Sequence, residues 1–210
     1  MTKKEIMQNR QKHYQEVCEN LAKNKYTQEN ATVSILKANI LALVIALPFI
    51  ILFFGLFLIL HSEINDIKEL FEIFKSSKCL VIIIAMIISI PVHEFLHGLG
   101  WHLFCQKSWN SIQFGVMWES ITPYCYCSEA VSLGQYYIGL LSPFAILGMI
   151  ISIIAICIGN ISWLIIGLYN ILLAGGDLTI ACILLKYIKN KANKKILDHP
   201  SECGCVVFLK

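Results

Sequence analysis

Charge is the scarcest ingredient of this chain. Asp, Glu, Lys and Arg supply only 15% of its 210 residues, where a soluble domain carries about 25%. A polar shell facing water on all sides cannot be drawn from that supply, and the 57% hydrophobic content calls for a second solvent. Basic charge is not in excess either. A formal net charge of +3 lacks the basic footprint of a nucleic-acid-binding protein. There is no cleavable signal peptide, because the first apolar run begins only at residue 38 and has no small-residue cleavage site. Internal repeats and low-complexity segments are absent. The nine cysteines are an odd number. Cys79, Cys157 and Cys182 sit in apolar runs, where a thiol behaves as a small hydrophobe, so no disulfide framework is expected.

What the chain does have is long apolar runs. A bilayer core of about 30 Å needs about 20 apolar residues in a helix. Residues 38–60, 79–104, 131–159 and 163–185 meet that requirement. The expected fold is an all-α integral membrane protein of about four transmembrane helices, with a small β-hairpin-like loop between the second and third. Pro48 and Pro143 interrupt two of the runs, which membrane helices tolerate. The β-prone stretches 111–118 and 121–127 would form the hairpin. Residues 1–37 read as a polar, helical N-terminal segment, 38–186 as the membrane domain and 187–210 as a polar tail. Lys3, Lys4, Arg10, Lys12, Lys23, Lys25 and Lys37 precede the first run, and Lys186, Lys189, Lys191, Lys194 and Lys195 follow the last. By the positive-inside rule both termini face the cytoplasm of a multi-pass cell-membrane protein. Cys125, Cys127, Cys203 and Cys205 then meet a reducing compartment as thiols. Four thiolates can also hold a structural zinc, although nothing in their spacing brings them together.

The strongest chemical signal is His93-Glu94-Phe95-Leu96-His97. Positions i and i+4 share one helix face, so both imidazoles can reach one metal ion, with Glu94 beside them as a general base. Ionisable residues inside an apolar span are costly and are functional by default. Zinc needs a third protein ligand. His102 is one candidate, though it falls one residue short of the metzincin spacing, where Leu103 stands. Asp177 is the better one, as the only charged residue of the fourth run. His93 lies 14 residues past Cys79, and Asp177 lies 14 past Trp163. At 1.5 Å per residue both sit at about the same depth, roughly 21 Å in. Gly175 and Gly176 allow close helix approach or local unwinding there.

The chain resembles the site-2 protease class of intramembrane zinc peptidases, and more closely the DUF3267-type zincin peptidases. The residues behind this are Pro91-Val92-His93-Glu94-Phe95-Leu96-His97-Gly98, Phe114-Gly115, Pro123-Tyr124-Cys125, the stretch 137–143, Gly175-Gly176-Asp177-Leu178 and Asp198-His199-Pro200. The resemblance covers roughly residues 80–204. It implies that His93, His97 and Asp177 bind Zn2+ and that Glu94 activates water. It also suggests that Asn170 corresponds to an upstream Asn of that class, donating to the substrate carbonyl or else bonding to a neighbouring helix. This chain departs from the class by having Gly-Gly-Asp-Leu in place of Leu-Asp-Gly and by lacking the preceding prolines.

The expected function is therefore a membrane-embedded zinc metalloendopeptidase, cleaving membrane-protein or peptide substrates that the hairpin can hold by strand addition. Asp198 and His199 would be groups near the site or part of a solvated tail. Two alternatives stand beside this: an inactive homologue binding a transmembrane partner, and a membrane metal transporter. Ionisable groups clustered at one depth favour a site over a pathway.

Overall fold

A computed structural model describes residues 3–61, 77–117, 122–189 and 192–210. Most of the expected polar connection at 61–78 lies outside them, as do Trp118 and Ile121 at the hairpin turn.

Helix α1 covers Lys3–Lys23 and strand β1 Thr27–Val33. Then come α2, Ile35–Leu60, and α3, Ser77–His102, each 26 residues long. The third apolar helix, Leu133–Ile158, is made of α4 (Leu133–Pro143), a π-helical stretch (Phe144–Ile150) and α5 (Ile151–Ile158). Its start is set by a capping box, in which Ser132 and Gln135 satisfy each other's backbone N–H. It ends at Gly159, in the left-handed conformation with φ 63°, which glycine adopts without a Cβ clash. Asn160 then caps α6, Ile161–Leu173, by accepting from the Trp163 N–H. The last helix, α7, is Gly175–Ile188. Among the described residues three helices are long and apolar enough to cross a membrane, or four if α6 and α7, bent by 48°, count as one span. The bend falls at Ala174, just before Gly175-Gly176, two residues of low helix propensity.

The π-helical stretch follows Pro143. Proline has no N–H, so the helical bond to the carbonyl four residues back, that of Gly139, cannot form. That carbonyl lacks its helical N–H donor and accepts from the Ser142 hydroxyl at 2.9 Å instead.

The expectation of an all-α protein needs correction. Among the described residues there is a four-stranded antiparallel sheet in the order β1-β6-β5-β4, where β4 is Val131–Ser132, β5 Lys194–Asp198 and β6 Cys203–Leu209. The N-terminal segment and the tail, expected to be separate polar pieces, pair over seven residues from Thr27↔Leu209 to Val33↔Cys203. Strands alternate their faces, and here both faces are covered. Leu197, Val206 and Phe208 pack under α1 against Tyr14 and Leu21. Ile196, Cys205 and Val207 pack with Tyr136, Leu184 and Tyr187 from the membrane helices. The expected hairpin is present as β2, Ile112–Met117, against β3, Thr122–Cys127. Its Phe114 reaches Gly98 of α3. A second core lies among the spans, with Phe53, Phe57, Phe144, Leu164 and Ile171 at its centre.

Candidate metal centre

Two close helix crossings build the site. Gly100 of α3 faces Gly139 of α4 so tightly that a Cβ on Gly100 would lie 2.6 Å from the Gly139 Cα. Gly175 lies against Ala42 of α2, where an added Cβ would meet the Ala42 carbonyl at 2.7 Å. The first crossing sets α3 against α4, and the second seats the start of α7. Gly176 has open space around it and faces the groove.

His93 and His97 are buried one turn apart on α3, and Asp177 lies in the first turn of α7. His93 Nε2 is 3.1 Å from Asp177 Oδ2 and 3.2 Å from His97 Nε2, while His97 Nε2 is 3.4 Å from Asp177 Oδ1. The depth argument thus brought together residues 84 positions apart in sequence. Donors held 2.0–2.1 Å from a tetrahedral zinc lie about 3.3 Å from one another, and the two imidazoles and the Asp177 carboxylate are grouped closely enough to hold one such ion. Among the described residues no other group of three or more His, Cys, Asp or Glu side chains could hold a metal.

The ring of His97 is fixed by its other nitrogen. Nδ1–H donates to the Gly139 carbonyl at 2.9 Å, the carbonyl that Pro143 leaves without its helical donor. The lone pair of a neutral His97 therefore sits on Nε2, facing the cluster. Trp101 stacks on the same ring, with centroids 5.4 Å apart at 14°. The Trp101 indole N–H donates to the Tyr136 carbonyl at 3.0 Å, and Tyr136 stacks on Trp101 in turn. The Tyr136 hydroxyl donates to Asp198 Oδ1 at 2.6 Å, and the Cys127 N–H donates to Oδ2 at 2.8 Å. Asp198 is thus no part of the metal cluster. It anchors an aromatic stack that ends on a histidine of the site. Burial pushes its carboxyl up to about 6, against the lowering effect of those two donors. His93 Nδ1 is buried without a partner.

Glu94 lines a groove of about 1520 Å³ together with His93, His97 and Asp177. The backbone N–H of Cys125, on β3, faces its carboxylate. The hairpin is therefore a wall of the groove beside the cluster.

Other expected residues fall elsewhere. His102 donates from Nδ1 to the Leu99 carbonyl and stacks on Trp109 at 4.2 Å, away from the cluster. Asn170 is fully buried, but its Nδ2 donates to the Ile166 carbonyl of its own helix, and it does not line the groove. Seven residues of straight helix would have kept it on the face of Asp177. The 48° break at Ala174 removes that relation. Cys125, Cys127, Cys203 and Cys205 do not converge. Cys127 instead lies 3.4 Å from Cys105, Sγ to Sγ. His199 accepts at Nδ1 from the Glu202 N–H at 2.8 Å, within a turn. Gly139, Trp101 and Tyr136 were not picked out as site residues. The signal available for Gly139 was a proline four residues downstream in an apolar run.

Residues 86–192, just over half of the chain, match the model of a family described as "Putative zincin peptidase". No curated protein and no solved structure matches the chain.

Proposed function

The chain belongs to the DUF3267 family, and on that premise we propose that it is a membrane-embedded zinc endopeptidase of the His-Glu-x-x-His type, similar in its chemistry to site-2 proteases. The observation that carries the reading is the cluster of His93 Nε2, His97 Nε2 and the Asp177 carboxylate, whose two oxygens lie 3.1 Å from His93 and 3.4 Å from His97, beside Glu94 in an open groove. Two imidazoles and one carboxylate suit zinc and leave a fourth position for water or substrate.

A zinc ion bound to His93, His97 and Asp177 would supply the Lewis acid that polarises a scissile carbonyl and makes water more acidic. The protein's own groups do the rest. Glu94 takes a proton from the attacking water as its oxygen adds to the carbonyl carbon. The same carboxyl then delivers that proton to the departing amine nitrogen as the C–N bond breaks. The Gly139 carbonyl and Trp101 hold His97 in one tautomer and one ring orientation. The groove walls limit bulk water at the reacting atoms. The substrate class is a peptide segment of a membrane or membrane-associated protein, extended along the hairpin wall. The apolar helices support a cell-membrane location, and the lysines flanking the first and last spans support cytoplasmic termini.

The test is metal content and peptide cleavage of the purified protein. Wild type should carry about one zinc per chain, much weakened in His93→Ala and Asp177→Ala. Glu94→Gln should keep the zinc and lose cleavage by at least about a hundredfold. Full activity of Glu94→Gln, or wild type carefully prepared without zinc, would reject the reading.

A further inference from the structure

Helix α1 stands outside the residues that match the family, yet it supplies part of the groove wall. Its inner stripe runs Arg10, Tyr14, Val17 and Cys18, Leu21, spaced as one helix face. Tyr14 and Leu21 pack on the sheet as expected of such a stripe. Arg10, one turn earlier, is only 7% exposed. A cation in a core position calls for a reason, because burying it without a counter-charge is costly.

Every partner of Arg10 is neutral. Its Nε and Nη2 donate to Gln113 Oε1 at 3.3 Å, and Nη2 also donates to the Tyr124 hydroxyl at 2.9 Å. Its guanidinium carbon lies 4.7 Å from the Tyr124 ring centre and 4.4 Å from that of Tyr126. Three of its five donors are used in this way. The two N–H groups of Nη1 have no acceptor among the described residues, and Arg10 lines the groove. Beside it the Tyr126 hydroxyl is buried and has no hydrogen-bond partner among the described residues. No carboxylate lies within ion-pair distance of Arg10 among the described residues. Of the groove's acids, Asp177 is engaged by the two histidines, and Asp198 gives its hydrogen bonds to Tyr136 and Cys127 and feels the charge of Arg10 only at longer range. Among the described residues no other Lys or Arg lines the groove.

Strand β3 ties this spot to the metal centre. Tyr124 and Tyr126, which frame Arg10, flank Cys125, whose N–H faces Glu94. Arg10, Glu94 and the metal cluster therefore line one groove, with this strand as their common wall.

We propose that Arg10 and the Tyr126 hydroxyl form an anion subsite of the groove, which recognises a carboxylate of the peptide substrate close to the cleaved bond. The carboxylate comes from an acidic side chain or from a free C-terminus, and a bidentate guanidinium contact suits either. The inference rests on the peptidase reading for what occupies the groove. The subsite itself is tested by binding alone.

The experiment uses the full-length, zinc-loaded Glu94→Gln protein in detergent, with fluorescent peptides read by anisotropy. One pair of peptides differs by Glu against Gln internally, and another by a free against an amidated C-terminus. With Arg10 present, one pair should show a preference for the acid of about tenfold or more, and which pair shows it identifies the source. Arg10→Met should bring the two peptides of that pair to within about twofold, and Arg10→Lys should retain part of the preference. Tyr126→Phe, which removes only a hydroxyl, should weaken the acidic peptide severalfold and leave the neutral one unchanged. Equal binding of acidic and neutral peptides with Arg10 present overturns the proposal. So does a preference that survives Arg10→Met, or a failure of every peptide to bind. Parallel cleavage assays on the protein with Glu94 intact separate the two claims. Cleavage without acid preference leaves the peptidase and removes the subsite. Acid-selective binding without cleavage does the reverse.

Discussion

Replacing Gly100 with alanine adds one methyl group, three residues along the helix from His97, and should weaken zinc binding although it touches no zinc donor. The added Cβ would lie 2.6 Å from the Gly139 Cα, 3.1 Å from its nitrogen and 3.3 Å from the Ile138 carbonyl oxygen. All three are backbone atoms, so no side-chain rotation relieves the overlap. Ordinary contact begins at 3.4 Å, and α3 and α4 must therefore part by about 0.8 Å at this point. The His97 Nδ1 to Gly139 carbonyl bond, now 2.9 Å, opens toward about 3.7 Å, beyond hydrogen-bonding range. A metal-binding histidine that loses the partner of its other nitrogen typically loses 10- to 100-fold in metal affinity, or about 1.4–2.7 kcal/mol. The overpacking itself should cost roughly 1–3 kcal/mol of stability. Competition against a chromophoric chelator in detergent measures the first quantity and thermal unfolding the second. Gly55→Ala is the control, because a Cβ there meets nothing within 4 Å, and it should bind zinc as wild type does. A folded Gly100→Ala protein with wild-type zinc affinity would refute the claim that the Gly139 carbonyl orients His97.

Tyr136→Phe removes the hydroxyl that donates to the buried Asp198 at 2.6 Å. It should cost about 1.5–3 kcal/mol, visible as a lower unfolding temperature. Asp198 should also make stability depend on pH. Its carboxyl is pushed up to about 6 by burial, so the folded state holds the proton more tightly than the unfolded one. That contribution is fully present below about pH 4 and lost as pH rises through 6, by up to about 3 kcal/mol. The difference between wild type and Asp198→Asn, measured by unfolding at pH 4 and pH 7, isolates it, and a difference independent of pH would contradict the assignment. His102→Ala should keep zinc at wild-type affinity, since His102 is occupied with Leu99 and Trp109. Loss of the metal in that variant would return His102 to the ligand set.

The helices and the cluster were readable because both depend on local spacing. Apolar runs of bilayer length mark the spans, and i, i+4 periodicity puts His93 and His97 on one face. Counting residues from the starts of two spans matched the depth of Asp177. The sheet was hidden for the opposite reason. Thr27–Val33 is a polar stretch whose pairing with Cys203–Leu209 joins positions 170 to 182 residues apart, and no local pattern announces such a partner. The break at Ala174 lies inside a continuous apolar run, so Asn170 was read onto a face that the bend removes. The role of Gly139 depends on a carbonyl, which carries no residue-type signature. Only Pro143, by taking away that carbonyl's helical partner, leaves a trace of it in the chain.

The pairing of β1 with β6, and of β4 with β5, imposes a parity rule on the path of the chain. Hydrogen-bonded strands of one sheet outside the bilayer lie on one side of it. The chain between any two of them must then cross an even number of times. Between β1 and β4 the crossings are α2 and α3, which satisfies the rule. Between β4 and β5 stands the helix Leu133–Ile158; if it crosses once, α6 with α7 must make the return journey. A re-entrant loop there would leave β5 stranded across the membrane from its partners. On that reading the bent pair is a complete passage with its break beside Asp177, and the sheet that closes the circuit of the chain ties the two together.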